Sequence, residues 1–465
     1  MTTKISSAAI SCLFFSCVIL QAGEPADWLL DGSSFKATVQ TNAGRREITL
    51  DNGLVRRVFR LTPNAATVAF ENLMTGESFL RAVRPEAVIE LNGTDYEVGG
   101  LTGQPVQNFL KPAWIERLKS NSSAFQFSGY EVGKTKARFP WKKRNEWMAR
   151  DLPWPAPGVS LTLKFQPPSN FGGTGQQRSM LVEVHYELFD GIPLISKWVV
   201  VKNGTKNSIR LNKFISEDLA MTEAESFVGE STAWQLPKLL VEADYAFGGA
   251  MGPLDTMPSV HWMPDPTYTS QVNYDLQTPC LLQCRPPIGP DQIIGPGDSF
   301  ESFRAFELAQ DSSERERKSL EKRRMYRTIA PWVTENPIYM HVRSAEPDAV
   351  KLAIDQCAAV GFQMVILTFG SGFDFESRDT NYQSGIKKLV DYAKAKGIVL
   401  GGYSLCSSRS AGTPADNVVN DHPEFGVAPC LGSTWGHDYL EQLKSMMQNT
   451  GLAALEHDGS YPGDT

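Results

Sequence analysis

Two acidic side chains close the last apolar run of the chain. Glu456 and Asp458 follow an apolar stretch that begins at residue 452, and His457 lies between them. Side chains alternate along a β-strand, so we expect Glu456 and Asp458 on one side and His457 on the other. Carboxylates so placed can accept hydrogen bonds from hydroxyl groups, transfer protons or attack an electrophilic carbon. The alternatives are a turn aspartate before Gly459 and a solvated glutamate at 456.

Polar side chains also follow two earlier apolar runs. Asp374 and Glu376 come after the run 364–369, and Arg343 ends the run 338–342. The two carboxylates can reach substrate hydroxyls, whereas an arginine can bind a carboxylate or sulfate group on a substrate. The alternatives are an ordinary acidic surface loop for the two acids and a salt bridge to such acids for Arg343.

Three tryptophans lie in an irregular stretch, punctuated by prolines, between residues 139 and 158: Trp141, Trp147 and Trp154. Their flat apolar faces are suited to stacking on sugar rings. Packing of this loop against another part of the molecule explains them equally well. The sequence therefore offers them either as substrate-binding residues or as the residues that hold the loop in place.

Several other chemistries lack their patterns. The six histidines form no HExxH or clustered metal-binding spacing, and no GxSxG motif of a serine hydrolase occurs. Gly172, Gly173 and Gly175 lack the lysine and helix of a phosphate-binding loop. A net charge of −7, spread without long blocks of one sign, offers no surface for a nucleic-acid backbone. The sequence therefore predicts no metal, no cofactor and no nucleic-acid partner.

The first 22 residues are typical of an export signal. Lys4 supplies a positive start, residues 10–20 form a short apolar run, and Ala22 and Gly23 offer a cleavage point. We therefore expect an exported protein, in the periplasm or outside the cell. The alternative is an N-terminal membrane anchor, although the run is shorter than the roughly 20 residues that span a bilayer. No later apolar run in the sequence is long enough to span one.

Removal of that segment leaves five cysteines, an odd number that cannot form a fully paired framework. Cys406 and Cys430, both on predicted loops, could close a loop through a disulfide in an oxidising compartment. The alternative is that they are small buried hydrophobic residues. Cys280 and Cys284 lack the partners of a zinc site.

Residues 34 to 308 alternate short β-rich runs with turn residues. Asp-Gly at 190–191 and Asn-Gly at 92–93 accept positive φ at little cost and are therefore typical of hairpin turns. Apolar and polar residues alternate strictly over 158–165, which buries one face of a strand. This pattern predicts a large antiparallel β-sandwich over residues 25–310.

The remaining part of the 465-residue chain changes period. A charged segment, 311–330, is predicted to be a helical linker, with Ser313 and Glu316 in the spacing of an N-terminal capping box. After Pro337, apolar strands alternate with amphipathic helices, which is typical of parallel βα units with functional residues at the carboxyl ends of the strands. Four such units over 331–465 predict the first half of a (β/α)8 barrel. The expected fold class is thus multi-domain β plus α/β.

Taken together, these elements resemble the retaining α-galactosidases of glycoside hydrolase family 36. In the sandwich, YELFDGIPLISK at 186–197 is similar to the family's strand, turn, proline and strand before a basic residue. In the barrel, GFQMVIL at 361–367 and KLVDYAKAKGI at 388–398 resemble its second and third units. GLAALEHD at 451–458 looks like the fourth strand, which ends in the family's nucleophilic aspartate.

The resemblance implies an exported α-glycosidase of the α-galactosidase type, which hydrolyses α-linked glycans with retention. It places the nucleophile on Asp458 and leaves Glu456 as a residue that holds a sugar hydroxyl. The family has lysine and tryptophan at the positions of Glu456 and His457, and paired aspartates and a tryptophan where this chain has TFGSGFD at 368–374. These departures leave the sugar open.

The family's acid/base aspartate lies on a sixth strand, so we interpret the chain as truncated after the fourth barrel strand. On this interpretation the chain alone hydrolyses no natural glycoside at an enzymatic rate, because a general acid typically contributes about 10²- to 10⁴-fold. The alternative function is a non-catalytic carbohydrate-binding protein or a decayed glycosidase. Aldose epimerisation by the sandwich would need a histidine and a glutamate together in a groove, and only His185 offers itself.

Overall fold

The chain is described by a computed structural model that covers residues 27–142, 152–169, 171, 179–225, 228–245, 259–418 and 426–459. The predicted export signal and Trp147 lie outside the described residues. Within these ranges β-strands are the main secondary structure and α-helices are few. No helix in the described ranges is long and apolar enough to cross a bilayer.

Antiparallel strands fill the described part of the chain up to residue 309. They are β1 (Thr38–Asn42), β2 (Glu47–Asp51), β3 (Val55–Arg60), β4 (Ala66–Asn72), β5 (Glu77–Ser78), β6 (Leu80–Ala82), β7 (Ala87–Leu91), β8 (Thr94–Val98), β9 (Gln126–Lys134), β10 (Gly158–Gln166), β11 (Met180–Phe189), β12 (Leu194–Asn203), β13 (Ile209–Ile215), β14 (Glu217–Met221), β15 (Leu239–Ala243), β16 (Val260–Met263), β17 (Leu281–Cys284), β18 (Pro290–Ile294), β19 (Ser299–Glu301) and β20 (Ala305–Ala309). One short α-helix, α1 (Pro112–Ile115), and one 3₁₀ helix, Ser231–Ala233, interrupt this described region.

The strands form four sheets. Sheet I has the order β1-β2-β3-β4-β5, and sheet II has the order β15-β20-β12-β11-β10-β9 with β19 beside β12. Sheet III is β18-β13-β7-β8, and sheet IV is β16-β17-β14-β6. The predicted β-rich architecture of this region is thereby confirmed.

The hairpin of β11 and β12 lies at the centre of sheet II. Both strands are buried along almost their whole length, because sheet neighbours and the other sheets cover them. The predicted turn at Asp190-Gly191 joins them. Gly191 has φ +72°, and a Cβ there would come within 2.9 Å of the carbonyl oxygen of Gly32. Both the backbone conformation and this close approach therefore require glycine.

A cluster of fully buried charges lies where the four sheets meet. The guanidinium Nη1 of Arg57 (β3) donates to Glu217 Oε2 (β14) at 2.9 Å and to Glu307 Oε2 (β20) at 3.0 Å. The ammonium of Lys197 (β12) donates to Glu217 Oε1 at 2.8 Å and to the carbonyl oxygen of Glu86, next to β7, at 2.6 Å. We call these five residues the buried ion cluster.

The buried ion cluster has three acids and only two bases. Burial, and then the neighbouring Glu217 carboxylate, raises the pKa of Glu307 well above its ordinary value. A protonated Glu307 leaves two positive and two negative charges, which removes the cost of an unpaired charge in the core. Lys197 closes one of the stretches that resemble family 36, and its place in this cluster gives that basic residue a structural role.

Helix α2 (Arg315–Ile329) follows the sandwich, as the charged segment predicted. The predicted capping box at Ser313 and Glu316 is wrong, because the N-cap residue is Glu314 and its side chain makes no capping hydrogen bond. Instead, the backbone N–H of Glu314 donates to Ser312 Oγ at 3.0 Å, a local turn that starts the helix one residue later than a cap at Ser313 would.

Charged contacts fix α2 against the start of the described chain. Arg317 Nη1 donates to Asp27 Oδ2 at 2.7 Å, and its Nε donates to Asp311 Oδ1 at 2.8 Å. Glu321, one turn further along, is fully buried, and its Oε1 accepts the backbone N–H of Asp311 at 3.3 Å. Burial, and then its side-chain hydrogen bond with Asp311, raises the pKa of Glu321 to about 8.

The last described region is a parallel sheet with helices on one side. Its elements are β21 (Tyr339–Val342), α3 (Pro347–Val360), β22 (Met364–Leu367), α4 (Thr380–Ala395), β23 (Val399–Leu405), α5 (Thr434–Thr450) and β24 (Ala454–Asp458). The four strands pair in chain order, β21-β22-β23-β24, and all pairs are parallel. The predicted strand–helix alternation is present, while its assignment to half of a closed barrel stays a prediction.

The raised pKa of Glu321 generates a prediction about stability and pH. An acid whose folded pKa lies above its ordinary value of 4.5 stabilises the fold below pH 4.5, and this contribution is lost as the pH rises to about 8. Glu321→Gln stays uncharged, so it should be more stable than the wild type at pH 8 by about 4 kcal/mol and similar to it at pH 4. Urea unfolding across this range measures the difference.

The matched control is Glu441→Gln, which removes a largely exposed carboxylate paired with Lys444. Its unfolding free energy should follow the wild type at every pH to within about 0.5 kcal/mol. Parallel curves for the wild type and Glu321→Gln would show that Glu321 is ionised in the folded protein and would contradict the expectation.

Candidate functional site

The parallel sheet has one face packed on helices and a second face that we call the open face. Met340, Val342, Val365 and Leu367 pack into the core that α3, α4 and α5 share with the sheet. The residues that alternate with these point to the opposite side. Because parallel partners share a face, the open face is defined by residues His341, Thr368, Tyr403, Glu456 and Asp458.

Three strands converge on the carboxylate of Glu456. His341 Nε2, from β21, lies 3.0 Å from Glu456 Oε2, and Thr368 Oγ1, just after β22, donates to the same oxygen at 3.4 Å. The side chains of Glu456 and His341 are 31% and 40% exposed, so both remain accessible to a ligand. The site thus holds an accessible carboxylate whose orientation is set by side chains from two other strands of the sheet, β21 and β22.

Asp458 is held at both its side chain and its backbone. The hydroxyl of Tyr403 donates to Asp458 Oδ2. The carbonyl oxygen of Asp458 accepts the backbone N–H groups of Cys406 at 2.6 Å and Ser407 at 3.0 Å. Two residues along a strand cover about 6.5 to 7 Å, so the Glu456 and Asp458 side chains lie side by side on the open face. This arrangement presents two carboxylates to one ligand.

His457 lies on the helix side, as its position between the two acids predicts. Its Nε2 is 3.0 Å from the hydroxyl of Tyr439 in α5, which in turn lies 2.6 Å from Ser404 Oγ. Burial raises the pKa of Tyr439 to about 12, so that hydroxyl keeps its proton at neutral pH. His457 therefore ties β24 to α5 and takes no part in the open face.

The loop after β22 holds the other two candidate acids. The Asp374 carboxylate accepts the backbone N–H of Glu376 at 2.9 Å, and the Asp374 N–H donates to the hydroxyl of Tyr382 at 2.8 Å. Glu376 Oε1 is 2.9 Å from Nη2 of Arg409, in the loop after β23. These contacts join the loop after β22 to α4 and to the loop after β23. The two acids form a rim beside the carboxyl ends of the strands.

Arg343 directly follows β21 and is exposed. A Cβ placed on Gly370 would lie 3.4 Å from its Nη2, so the guanidinium lies against the loop after β22. The loops after β21 and β22 also share a hydrogen bond from Ala345 N to Ser371 O at 2.8 Å. Arg343 is therefore at the same edge of the sheet as the two acids of the open face.

Trp141 and Trp154 pack in an aromatic cluster away from these acids. Trp154 lies 5.1 Å and Trp141 6.1 Å, between ring centroids, from Trp332, and Phe139 lies 4.8 Å from the same ring. Trp332 precedes β21, and the amino end of a strand is opposite the carboxyl end at which Asp458 lies. Their contacts match the packing alternative for this loop, while a role in binding carbohydrate stays untested.

Sequence reasoning missed His341 and Tyr403 as site residues. Both are ordinary strand residues in the sequence, and only the register between strands places them beside the acids. Tyr403 pairs with Glu456 across β23 and β24, and its hydroxyl reaches Asp458, two residues further along β24. In the sequence, the site is indicated only by the position of the two acids at the end of a strand. The pairing of strands that brings His341 and Tyr403 to these acids joins residues that are far apart in the chain.

The structure supplies a glutamate beside His185 in the sandwich. His185 Nε2 lies 3.1 Å from Glu183 Oε2, and its Nδ1 lies 3.0 Å from Thr162 Oγ1. Glu183 is also paired with Lys202 at 2.7 Å, and the imidazole stacks on Trp198 with centroids 4.9 Å apart. Both ring nitrogens have polar neighbours, and the contacts with Thr162, Trp198 and Lys202 join this pair on β11 to the strands on either side.

The five cysteines beyond the predicted export signal are all free thiols. Cys406 is buried next to the end of β23, and Cys430 is half-buried. The disulfide between them is absent, and for Cys406 the alternative of a small buried side chain is confirmed.

Comparisons with known proteins were made on the whole chain. Neither a protein-family model nor a curated protein sequence matches it. Solved structures do match. The alpha-galactosidase from Lactobacillus brevis aligns over 90% of this chain and 64% of its own length, at 11% sequence identity and a TM-score of 0.53. This chain thus spans less than two thirds of that enzyme.

Two further structures give similar values. The galactosidase domain of the alpha-galactosidase-sucrose kinase AgaSK aligns over 90% of this chain and 66% of its own, at 10% identity and a TM-score of 0.52. The GH36 alpha-galactosidase AgaB from Geobacillus stearothermophilus aligns over 92% and 68%, at 10% identity and a TM-score of 0.53. The fold resemblance to family 36 that the sequence indicated is confirmed.

The contact between His341 and Glu456 generates a prediction for the open face. A double-mutant cycle with His341→Ala and Glu456→Ala should give a coupling free energy of about 0.5 kcal/mol, since both groups are partly exposed. Where His341 is protonated, the coupling should shrink in 0.5 M NaCl, because salt screens an ion pair between partly exposed groups. Urea unfolding of the four proteins measures it. A coupling of zero at low salt would mean that the two side chains do not meet in solution.

Proposed function

We propose that this chain is the nucleophile-bearing part of a retaining α-glycosidase. The observation that carries the proposal is the pair Glu456 and Asp458, side by side on the open face at the carboxyl end of a parallel strand. That edge is where enzymes with parallel strand–helix units assemble their active sites. Retaining glycosidases need a carboxylate that attacks the anomeric carbon from such a position.

Asp458 takes the part of the nucleophile. Its carboxylate oxygen forms a bond to the anomeric carbon while the bond from that carbon to the leaving oxygen breaks. The leaving oxygen takes a proton from an acid or departs as a stable anion. The hydrogen bonds from Tyr403 to the carboxylate and from Cys406 and Ser407 to the backbone carbonyl support this role, because they fix the attacking group before substrate binds.

Glu456 takes the part of a residue that binds a sugar hydroxyl. An ionised carboxylate accepts hydrogen bonds from hydroxyl groups, and its contacts with His341 and Thr368 hold it in one orientation. Asp374, Glu376 and Arg343 form the outer rim of the same site. Glu376 contacts the loop after β23, and Arg343 lies against the loop after β22. The three residues therefore lie beside the substrate, where they determine which sugars and substituents fit.

In this proposal the four strands of the parallel sheet are the first four strands of a (β/α)8 barrel. Its support is the parallel pairing in chain order with α3, α4 and α5 on one side. Residues 25–310 then form the sandwich domain, 311–330 the linker and 331–465 the barrel segment. The charged start and apolar run of residues 1–22 support export to the periplasm or beyond the cell.

Alpha-galactosides are the first substrates to test, since the structures that share the fold are named alpha-galactosidases. A second candidate is carbohydrate binding without catalysis. It is favoured by Glu456 and His457, which stand where family 36 carries lysine and tryptophan. The two candidates differ in one respect, because only the first requires the Asp458 carboxylate to form a covalent bond.

Substitution of Asp458 separates these candidates. With 4-nitrophenyl α-galactoside, whose leaving group needs little acid assistance, Asp458→Asn should lower kcat by at least about 10³-fold while the thermal unfolding midpoint stays close to that of the wild type. Natural α-galactosides should turn over far more slowly than the aryl substrate. Asp438→Asn is the matched control, since Asp438 is an exposed aspartate paired with Arg378.

Near-normal turnover by Asp458→Asn would contradict the assignment of the nucleophile. Saturable binding of galactosides by a wild type that shows no turnover of the aryl substrate would favour the binding protein instead. Fast hydrolysis of natural α-galactosides would contradict the expectation that the acid lies outside this stretch of the chain.

A further inference from the structure

A cavity lies between sheet II, α2 and the segment that follows α2, apart from the open face. Its volume is about 420 Å³, and it is lined by residues of the sandwich, by Tyr326 and Thr328 of α2, and by Trp332. This volume falls within the range of about 300 to 1,000 Å³ that is usual for small-molecule sites. None of the residues that line it belongs to the open face.

One wall of the cavity is aromatic. Trp332 has its ring centroid 5.1 Å from that of Trp154 and 4.8 Å from that of Phe139. All three line the cavity, and none of them is fully buried. Aromatic faces that remain accessible in a cleft offer a flat apolar surface to a ring that carries C–H groups on one side.

The facing wall carries equal numbers of positively and negatively charged side chains. Arg304 Nη1 is 3.3 Å from Glu187 Oε2, and Arg138 pairs with Asp244. Lys136 adds a third positive charge and Glu242 a third negative charge to the lining. A charged ligand gains little net attraction in such a site. A neutral ligand rich in hydroxyls suits it, because carboxylates accept from hydroxyls and guanidinium groups donate to them.

The guanidinium group of Arg304 is part of this charged wall. Its side chain is 12% exposed, its guanidinium lies 4.0 Å over the ring of Trp198, and its Nε is buried with no hydrogen-bond acceptor among the described residues. Arg304 lines the cavity, and a ligand hydroxyl there can accept a hydrogen bond from an N–H of the guanidinium group that faces the cavity.

We propose that this cavity binds one ring of a neutral saccharide, with a C–H face of the ring on Trp332 and its hydroxyls toward Arg304, Glu187 and Asp244. The site is separate from the open face and does not depend on catalysis there. It would hold a glycan on the sandwich side of the molecule while another part of the same chain, or another molecule, is at the open face.

Binding of simple glycosides tests the proposal. The probes are the methyl α-glycosides of galactose, glucose and mannose, titrated to 50 mM into the whole chain and followed by tryptophan fluorescence and calorimetry. We expect at least one probe to bind with a Kd on the order of 1 mM, which is about 4 kcal/mol. Trp332→Ala should weaken it at least tenfold.

Three further variants make the result specific. Thr328→Trp fills the cavity from α2 and should abolish binding there without removing any aromatic wall, which decides the matter if Trp332→Ala does not fold. Trp114→Ala removes a half-buried tryptophan of α1 that does not line the cavity, and it should bind as the wild type does. Glu456→Gln changes only the open face, so the binding that is lost in Thr328→Trp should remain in Glu456→Gln.

Three results would overturn the proposal. One is that no probe binds to the wild type. Another is that folded Thr328→Trp binds every probe as the wild type does. The third is that Glu456→Gln abolishes binding, which would place the sugar on the open face. That last result would support the glycosidase assignment while defeating the second site, so the two proposals fail separately.

Discussion

The antiparallel part of the molecule depends on one buried set of ion pairs. Arg57 comes from sheet I, Lys197 and Glu307 from sheet II, and Glu217 from sheet IV, while Glu86 adjoins the first residue of β7 in sheet III. Removing one partner of such a cluster leaves an uncompensated charge in the core, which typically costs about 3 to 5 kcal/mol. Sheets that share this cluster cannot shift independently, so they form a fixed support for α2 and for the cavity beside it.

The parallel sheet depends on a simpler constraint, the alternation of side chains. Alternation puts Val365, Leu367 and His457 on the helix side, and it puts Glu456 and Asp458 on the open face. The helix side supplies the burial that stabilises the sheet. The open face is then available for polar groups from neighbouring strands, and parallel pairing brings their carboxyl ends to one edge. The two acids of the open face thus lie on β24, while the core that supports the sheet comes from the other strands and the three helices.

Much of this arrangement is local enough to be predicted from the sequence. The turn at Asp190-Gly191, the linker helix and the positions of Glu456 and Asp458 follow from patterns within a few residues. The buried ion cluster could not be predicted, since Arg57 and Glu307 are 250 residues apart and each alone looks like a surface residue. His341 and Tyr403 were missed for the same reason, because their roles depend on strand register.

Covalent labelling by an activated fluorosugar tests directly whether Asp458 is the nucleophile. A 2-deoxy-2-fluoro α-galactosyl substrate with a good leaving group needs no acid to react, and its fluorine slows release of the sugar from the enzyme. If Asp458 is the nucleophile, the intact protein gains the mass of one fluorosugar, and peptide mapping places it on Asp458. Absence of the adduct, or its location on any other carboxylate, would contradict the account of this chain as the nucleophile-bearing part of a retaining glycosidase.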